Sequence, residues 1–493
     1  MRDIFLDAPR VSAHGADFSW RVAPPAPLYK KTSFNLRFPE EIDLSNISRA
    51  LWWKVFFICL HTHWAILRPC RVHLPIKLPP GEKEVWERLM AAHAMTLDTL
   101  AVYGEVKTGA AEIVEEGPSL EPADPLPELN RYAAAFSGGK DSLMQAGLLS
   151  ELTDEPILVT TTSPMPPYVE HLTARRRRIF AEIVKRRRVR LIEVNSDFRA
   201  SLDNYYPAGH ALGTNEMCEV LLYFAALLVA GAALGATHLF VAAEAEAHEN
   251  IQRGESIVQH RHFMYSSVTQ RCLSTLLHPI GLRYCSLTSA LHAPQVQELL
   301  WTRYSDLRDL QYSCWKMRRD ESACSGCANC LQLALSALAL GLNPEPMGIN
   351  LVTLFNRMGN WRPRHIGMRD SLPTDIVARR LNDARVSDLR KISSFDLTKA
   401  LASTSPLRMA HPSTWIAVLR FVRMRRRLAK YHPQEPAGYW PAFLRLVDDS
   451  LRDKVAGIYA ESFTAASQAG YIENLQRSDA LVSWITEPIG GER

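Results

Sequence analysis

The residues with the plainest chemical meaning stand together at Ser137-Gly138-Gly139-Lys140-Asp141-Ser142. An apolar run, Tyr132 to Phe136, enters this stretch, and a helix-compatible run, Leu143 to Leu152, leaves it. Strand, Ser/Gly turn and helix make the geometry of an anion cradle. The glycines let the backbone come close to an anion. The N–H groups of a first helical turn lack internal partners, and the helix dipole adds partial positive charge there. Ser137 and Ser142 add hydroxyls, and Lys140 adds a cation. Asp141 would repel a phosphate unless it holds a metal, so it reads as a carboxylate for Mg²⁺. The spacing is not the G-x-x-x-x-G-K-[ST] of a Walker A loop. The bland alternative is a Ser/Gly-rich turn that binds nothing.

A second cluster has metal-ligand spacing. Of nine cysteines, Cys314, Cys324, Cys327 and Cys330 follow the pattern C-x9-C-x2-C-x2-C. Four thiolates in this arrangement form a closed, structural tetrahedral zinc site. An iron–sulfur cluster is the rival, but the cysteine that ferredoxin spacing expects three residues further on is absent, since position 334 is Ala. Cys59, Cys70, Cys218, Cys272 and Cys285 read as core cysteines.

A third group begins at Glu244, where an apolar run ends, and continues through Glu246, His248 and Arg253 to His260-Arg261-His262. Acids, histidines and arginines gathered at one strand exit suit substrate positioning and proton transfer, with Glu244, Glu246 and His260 as the candidates. An ordinary polar surface loop is the alternative.

The elements that must position these groups follow from periodicity. Strands over 132–136, 156–162, 189–195 and 238–243 alternate with helices over 141–152, 169–187 and 215–234. This predicts an α/β fold with a doubly wound parallel sheet, whose ligands bind at the carboxyl ends of its strands. The loops 137–142, 163–168 and 244–262 then meet at one edge. Val220 to Ala236 is apolar for long enough to imitate a membrane span, but it is short for one and contains Gly231 and Gly235. A buried helix feeding a buried strand explains it.

Residues 1–108 read as a small α+β region: a loose proline-rich start to residue 30, a strand over Thr32 to Phe38, a buried helix capped by Asp43 or Ser45, a strand over Arg71 to Leu78 and a helix over Glu82 to Leu100. Residues 109–130 read as a linker and 131–345 as the anion-binding domain with its cysteines. Residues 346–493 read as mainly helical after a strand over Ile349 to Phe355, with helices near 384–402, 413–430, 440–460 and 461–475. Two helices are arginine-rich. Arg175 to Arg178 with Lys185 to Arg188 is a solvated face or an RNA grip; it lacks the interleaved aromatics of the latter. The arginines ending helix 413–430 suit a helix C-terminus.

At 493 residues, with 47% apolar and 22% charged residues and a net charge of +5, the chain has a globular composition that permits anionic partners without requiring them. The N-terminal MRDIFLDAPR lacks an apolar signal region. The expectation is a cytoplasmic enzyme without a membrane partner.

The loop resembles the SGGxDS signature of the PP-loop ATP pyrophosphatases, which split ATP into AMP and pyrophosphate. Paired with Cys324-Ser325-Gly326-Cys327-Ala328-Asn329-Cys330, it is similar to the 7-cyano-7-deazaguanine synthases. A longer resemblance, roughly residues 130 to 360, links it to the UDP-MurNAc-L-alanyl-L-glutamate epimerases through Leu282 to Leu287 and Leu351 to Asn356 as well. The resemblance implies ATP and Mg²⁺ at Ser137, Gly138, Gly139, Lys140, Asp141 and Ser142. It also implies structural Zn²⁺ at the cysteines and adenylation of a small-molecule or peptide carboxylate, followed by epimerisation or by amide or nitrile formation. Ser137 replaces a further glycine of the epimerases and Lys140 an apolar residue of the synthases, so the resemblance speaks for ATP chemistry more than for one substrate. A tRNA-modifying PP-loop enzyme and a non-catalytic nucleotide-binding module are the alternatives.

Overall fold

Alternating burial shapes the start of the chain. The computed structural model describes residues 1–99, 108–126, 129, 131–162, 170–202, 220–248, 251–253, 256–258, 263–311, 314, 323–358, 397–398, 401, 406–428, 438–466 and 469–487. The segment expected to be loose instead holds β1 (Arg2–Leu6), β2 (Arg10–Ser12) and β3 (Gly15–Ala23). Ile4 and Leu6, then Phe18, Trp20 and Val22, turn inward at period two. That alternation outweighs the proline run, which begins only at Pro24. β4 (Ser33–Arg37) follows. α1 (Arg49–Leu67) is capped by Ser48, whose Oγ accepts from Leu51 N at 3.2 Å; neither Asp43 nor Ser45 is the cap. Asp43 accepts from Ser45 N in a turn ahead of the helix. After β5 (Cys70–Leu74) and α2 (Glu82–Thr99), the stretch expected to be a linker contributes β6 (Ala111–Glu115), with Ala111 and Ile113 buried.

The expected alternation then appears as β7 (Arg131–Ala135), α3 (Lys140–Leu152), β8 (Ile157–Thr162), α4 (Glu170–Arg186), β9 (Arg190–Ser196), α5 (Val220–Ala233) and β10 (Ala236–Phe240). A small hairpin, β11 (Ile251–Arg253) and β12 (Ser256–Val258), precedes α6 (Ser267–Leu277), β13 (Arg283–Cys285), α7 (Ala293–Thr302) and α8 (Ala328–Ala339). The strand expected over 349–355 is a helix, α9 (Leu351–Met358). Leu351, Leu354 and Phe355 are buried at helical spacing, and Asn350 Oδ1 accepts from Thr353 N at the helix start. α10 (Pro412–Leu428), α11 (Asp449–Ser462) and α12 (Ala469–Thr486) complete the order. The helix expected near 384–402 lies almost wholly outside the described residues.

Eleven strands form one mixed sheet, ordered β13-β10-β7-β8-β9-β4-β3-β1-β5-β6, with β2 on β3. β13 through β9 run parallel. β4 joins β9 antiparallel at Leu36↔Ser196, so residues 1–115 and 131–285 share the sheet. In its parallel half, Ala133, Ile157 and Val159 pack with α1 and α5, while Ala134, Phe136 and Leu158 pack with α3, α4 and α7. Helices thus cover both faces, which is why the middle of β7 and the start of β8 are apolar on both sides. Among the described residues α1 alone is long and apolar enough to cross a bilayer. Its residues from Ala50 to Leu67 are all buried, as are those of α5 up to Ala232.

Candidate functional site

Strand order locates the site. From β7 the chain steps to β8 and β9 on one side, then returns to place β10 on the other side of β7. Where the direction reverses, the connections leaving two neighbouring strands diverge and open a crevice at their carboxyl ends. The loop after β7 carries residues 137–142, and the one after β10 carries Glu244.

Phe136 N–H donates to Val159 O at 2.8 Å and ends the strand pairing. Gly138 then takes φ +78°, a left-handed conformation that side chains disfavour. A Cβ there would lie 3.2 Å from Ile179 Cδ1 of α4, so the loop rests on that helix. Ser137 N–H donates to Ser142 Oγ at 3.3 Å, and Ser142 Oγ donates to Gly139 O at 3.1 Å. The two serines therefore brace the turn from within. Gly139 is the N-cap of α3 and offers no side chain to cap its first N–H groups. That leaves a helix start shaped for an anion.

Lys140 reaches across to Glu244 and also pairs with its neighbour Asp141. Burial alone would lower the pKa of this ammonium. The two carboxylates more than offset that, so it stands above the ordinary lysine value. One cation between two acids leaves these three side chains net negative beside a helix N-terminus. Two carboxylates side by side are suited to a divalent ion, which would offset their repulsion of a phosphate.

The exit of β10 is held from behind. Ala243 N–H donates to Ser286 Oγ at 3.0 Å, and that hydroxyl donates to Ala243 O at 2.9 Å. Ala245 N–H donates to Leu291 O at 2.8 Å. The C-terminal region closes on the same segment: Trp440 N–H donates to Ala290 O, Ser289 Oγ to Phe443 O, and Tyr459 Oη to Leu287 O. His248, fully buried, lies against Phe443 with ring centroids 5.3 Å apart.

Of the candidates, Ser137, Gly138, Gly139, Lys140, Asp141, Ser142 and Glu244 converge. Glu246 lies on the turn Ala245–His248, and His260 lies outside the described residues, as do residues 163–168. The supporting Ile179, Ser286 and Trp440 carried no local signal that ties them to the loop.

The four cysteines also converge. Their sulfurs lie within 4.8 Å of one another, with Cys327 and Cys330 at 3.5 Å and Cys324 and Cys330 at 3.8 Å. This group can hold a metal ion. Cys327 is the N-cap of α8, and Cys324 N–H donates to Cys314 Sγ at 3.3 Å. Ser325 between them adopts φ +48°, held by Asn350 N–H donating to its Oγ at 2.8 Å. Hydrogen bonding from Cys314 and Cys330 holds the Cys327 thiol far below its usual range, while the same contacts raise its two partners. Cys59, Cys70, Cys272 and Cys285 are buried as expected, and Cys218 lies outside the described residues. Burial pushes the Cys272 and Cys285 thiols up to about 12.

Part of the arginine-rich α4 is used internally. Arg186 pairs with Asp309 and Arg187 with Asp306, and Arg175 donates to Asp309 O. Comparison of the chain with protein-family models, with curated proteins and with solved structures finds no match.

Proposed function

We propose that the chain is an ATP-dependent, AMP-forming enzyme with a doubly wound PP-loop domain that activates a carboxylate by adenylation. The observation that carries this reading is the braced Gly138–Ser142 turn at the reversal of strand order, with its lysine tied to Glu244 from the loop after the adjoining strand. ATP would supply the adenylyl group for the substrate carboxylate, releasing pyrophosphate.

Ser137, Gly138, Gly139 and Ser142 would hold the phosphates through backbone N–H groups and hydroxyls. Asp141 and Glu244 would hold Mg²⁺. Lys140, cationic throughout the working pH range, would shift toward the phosphates once the metal takes over its two carboxylates. Ile179 and the serine braces fix the turn beforehand, so little reorganisation accompanies the reaction. The substrate class is a small-molecule or peptide carboxylate, with epimerisation or amide or nitrile formation as the following step.

Zinc is the metal we assign to the cysteines. Zn–S bonds of about 2.3 Å in a tetrahedron put the sulfurs about 3.8 Å apart, close to the 3.8 Å of Cys324 to Cys330 and the 3.5 Å of Cys327 to Cys330. The test of function is product analysis of ATP turnover over a panel of carboxylic acids, muropeptide precursors included. AMP with pyrophosphate is the expected result. ADP with phosphate would overturn the reading. Elemental analysis should find about one zinc per chain, and iron with inorganic sulfide would overturn that assignment.

A further inference from the structure

α10 carries a surface that neither the proposed chemistry nor the metal site uses. Residues 397–434 contain eight Lys or Arg and no Asp or Glu. The whole chain has net charge +5, so the remainder stands at −3. Within it the helix is amphipathic in an unusual sense. Ala417, Phe421 and Met424 are buried, with Phe421 against Phe355 of α9 at 4.9 Å between ring centroids. Asn356 Nδ2 donates to Ser413 O at 3.0 Å, and Arg420 donates to Asn356 O. The inner face is thus fixed to α9, which is tied through Asn350 and Ser325 to the cysteine knuckle.

The outer face is apolar where solvent would favour polar groups. Trp415, Ile416 and Leu419 are about half exposed, Leu419 at 60%, and Leu407 of the preceding turn is 85% exposed. The other exposed large apolar residues described are spread over the rest of the chain, so four within thirteen positions is a cluster. Further along the same face come Arg423 and Arg426, both exposed. Clustered exposed apolar side chains mark an interaction surface.

We propose that this face docks on an anionic lipid bilayer surface, although composition alone gave no membrane partner. An indole, two leucines and an isoleucine next to arginines match the interface between acyl chains and acidic headgroups. Single-stranded nucleic acid would use aromatic platforms for its bases. Here three of the four exposed apolar residues are aliphatic, and Phe421 is turned into the core.

The experiment is flotation of the full chain with vesicles of phosphatidylglycerol and phosphatidylcholine, against phosphatidylcholine alone. The chain should float with the acidic vesicles, leave them as salt rises, and ignore the neutral ones. Ile416→Glu with Leu419→Glu should weaken binding at least about tenfold, from the lost apolar burial. Arg423→Gln and Arg426→Gln should each weaken it about fivefold. All four side chains face solvent, so these variants should keep the parent's helical circular dichroism and metal content, which serve as the folding check. Absence of binding to acidic vesicles overturns the proposal. So does full binding by the Ile416→Glu/Leu419→Glu variant. Displacement from vesicles by single-stranded RNA, with the RNA bound equally by that variant, would assign the face to nucleic acid instead.

Discussion

Two helix starts in this protein use the same backbone field for different ends. α3 begins with Gly139 as N-cap and Ser142 three residues on; α8 begins with Cys327 as N-cap and Cys330 three residues on. Each helix start turns N–H groups and a partial positive charge toward whatever sits before it. At α8 the N-cap and third positions are themselves thiols of the group that can hold a metal, and Cys314 and Cys324 complete that group. At α3 the same positions are a glycine and a hydroxyl, and the acids Asp141 and Glu244 stand to one side around Lys140. On the proposed reading, enclosure, and not the helix field, would separate a permanent ion from an exchangeable one.

Removing the metal tests the closed half of this comparison and carries the largest expected effect. Four-ligand sites of this kind bind metal with roughly 10 kcal/mol or more, which is folding energy. Chelation, or Cys327→Ser, should lower the thermal midpoint sharply and loosen α8 and α9. Thermal unfolding with and without chelator checks this, and an unchanged midpoint would deny the cluster its structural role. Activity should fall only in step with the folded fraction.

Asp141→Ala tests the open half and should reverse the pattern. Its side chain is about one-third exposed and carries little packing. Loss of a preorganised electrostatic group costs roughly a hundredfold to a thousandfold in rate. Pyrophosphate release at saturating Mg·ATP should fall by about that factor, with the thermal midpoint almost unmoved. Full release would remove the loop from the chemistry.

Lys140→Ala should be milder, below roughly a hundredfold, because the backbone N–H groups remain. Raised by its two carboxylates, Lys140 stays charged. Its contribution to stability is whole below the unfolded lysine value of about 10.4 and is lost only as pH rises through the still higher folded value. The pH profile of turnover between neutrality and that unfolded value should therefore show no break that Lys140→Ala abolishes.

Much of this was legible in the sequence because both sites are local. Six contiguous residues make the turn, and three of the four cysteines fall within Cys324 to Cys330. Glu244 was reachable because a buried strand announces its own end. The misread parts have physical reasons. β6 is five residues in a polar neighbourhood, and only Ala111 and Ile113 reveal its alternation. α9 is so short that its apolar run reads equally well as a strand; Asn350 at its start decides for a helix. The closing contacts, Trp440 to Ala290 and Tyr459 to Leu287, join residues more than a hundred apart. No periodicity encodes such pairings.

The smallest expected effect lies in the support of the open turn, where Gly138 meets Ile179. Two costs would fall on Gly138→Ala. A left-handed φ costs an L-residue roughly 1–2 kcal/mol. The new Cβ would also press on Ile179 Cδ1 at 3.2 Å and Cγ2 at 3.3 Å, within a packed layer that has little room to give. A double-mutant cycle separates them. Ile179→Val removes Cδ1 and alone should cost about 0.5–1.5 kcal/mol. If crowding matters, Gly138→Ala should be less costly in the Ile179→Val background by about 0.5 kcal/mol or more, the range expected for residues in contact. If backbone conformation is the whole cost, the two losses will add. Additivity in urea unfolding would show that α4 merely neighbours the turn. Coupling, accompanied by a raised ATP requirement in Gly138→Ala that Ile179→Val partly relieves, would make Ile179 the floor on which the anion cradle is set.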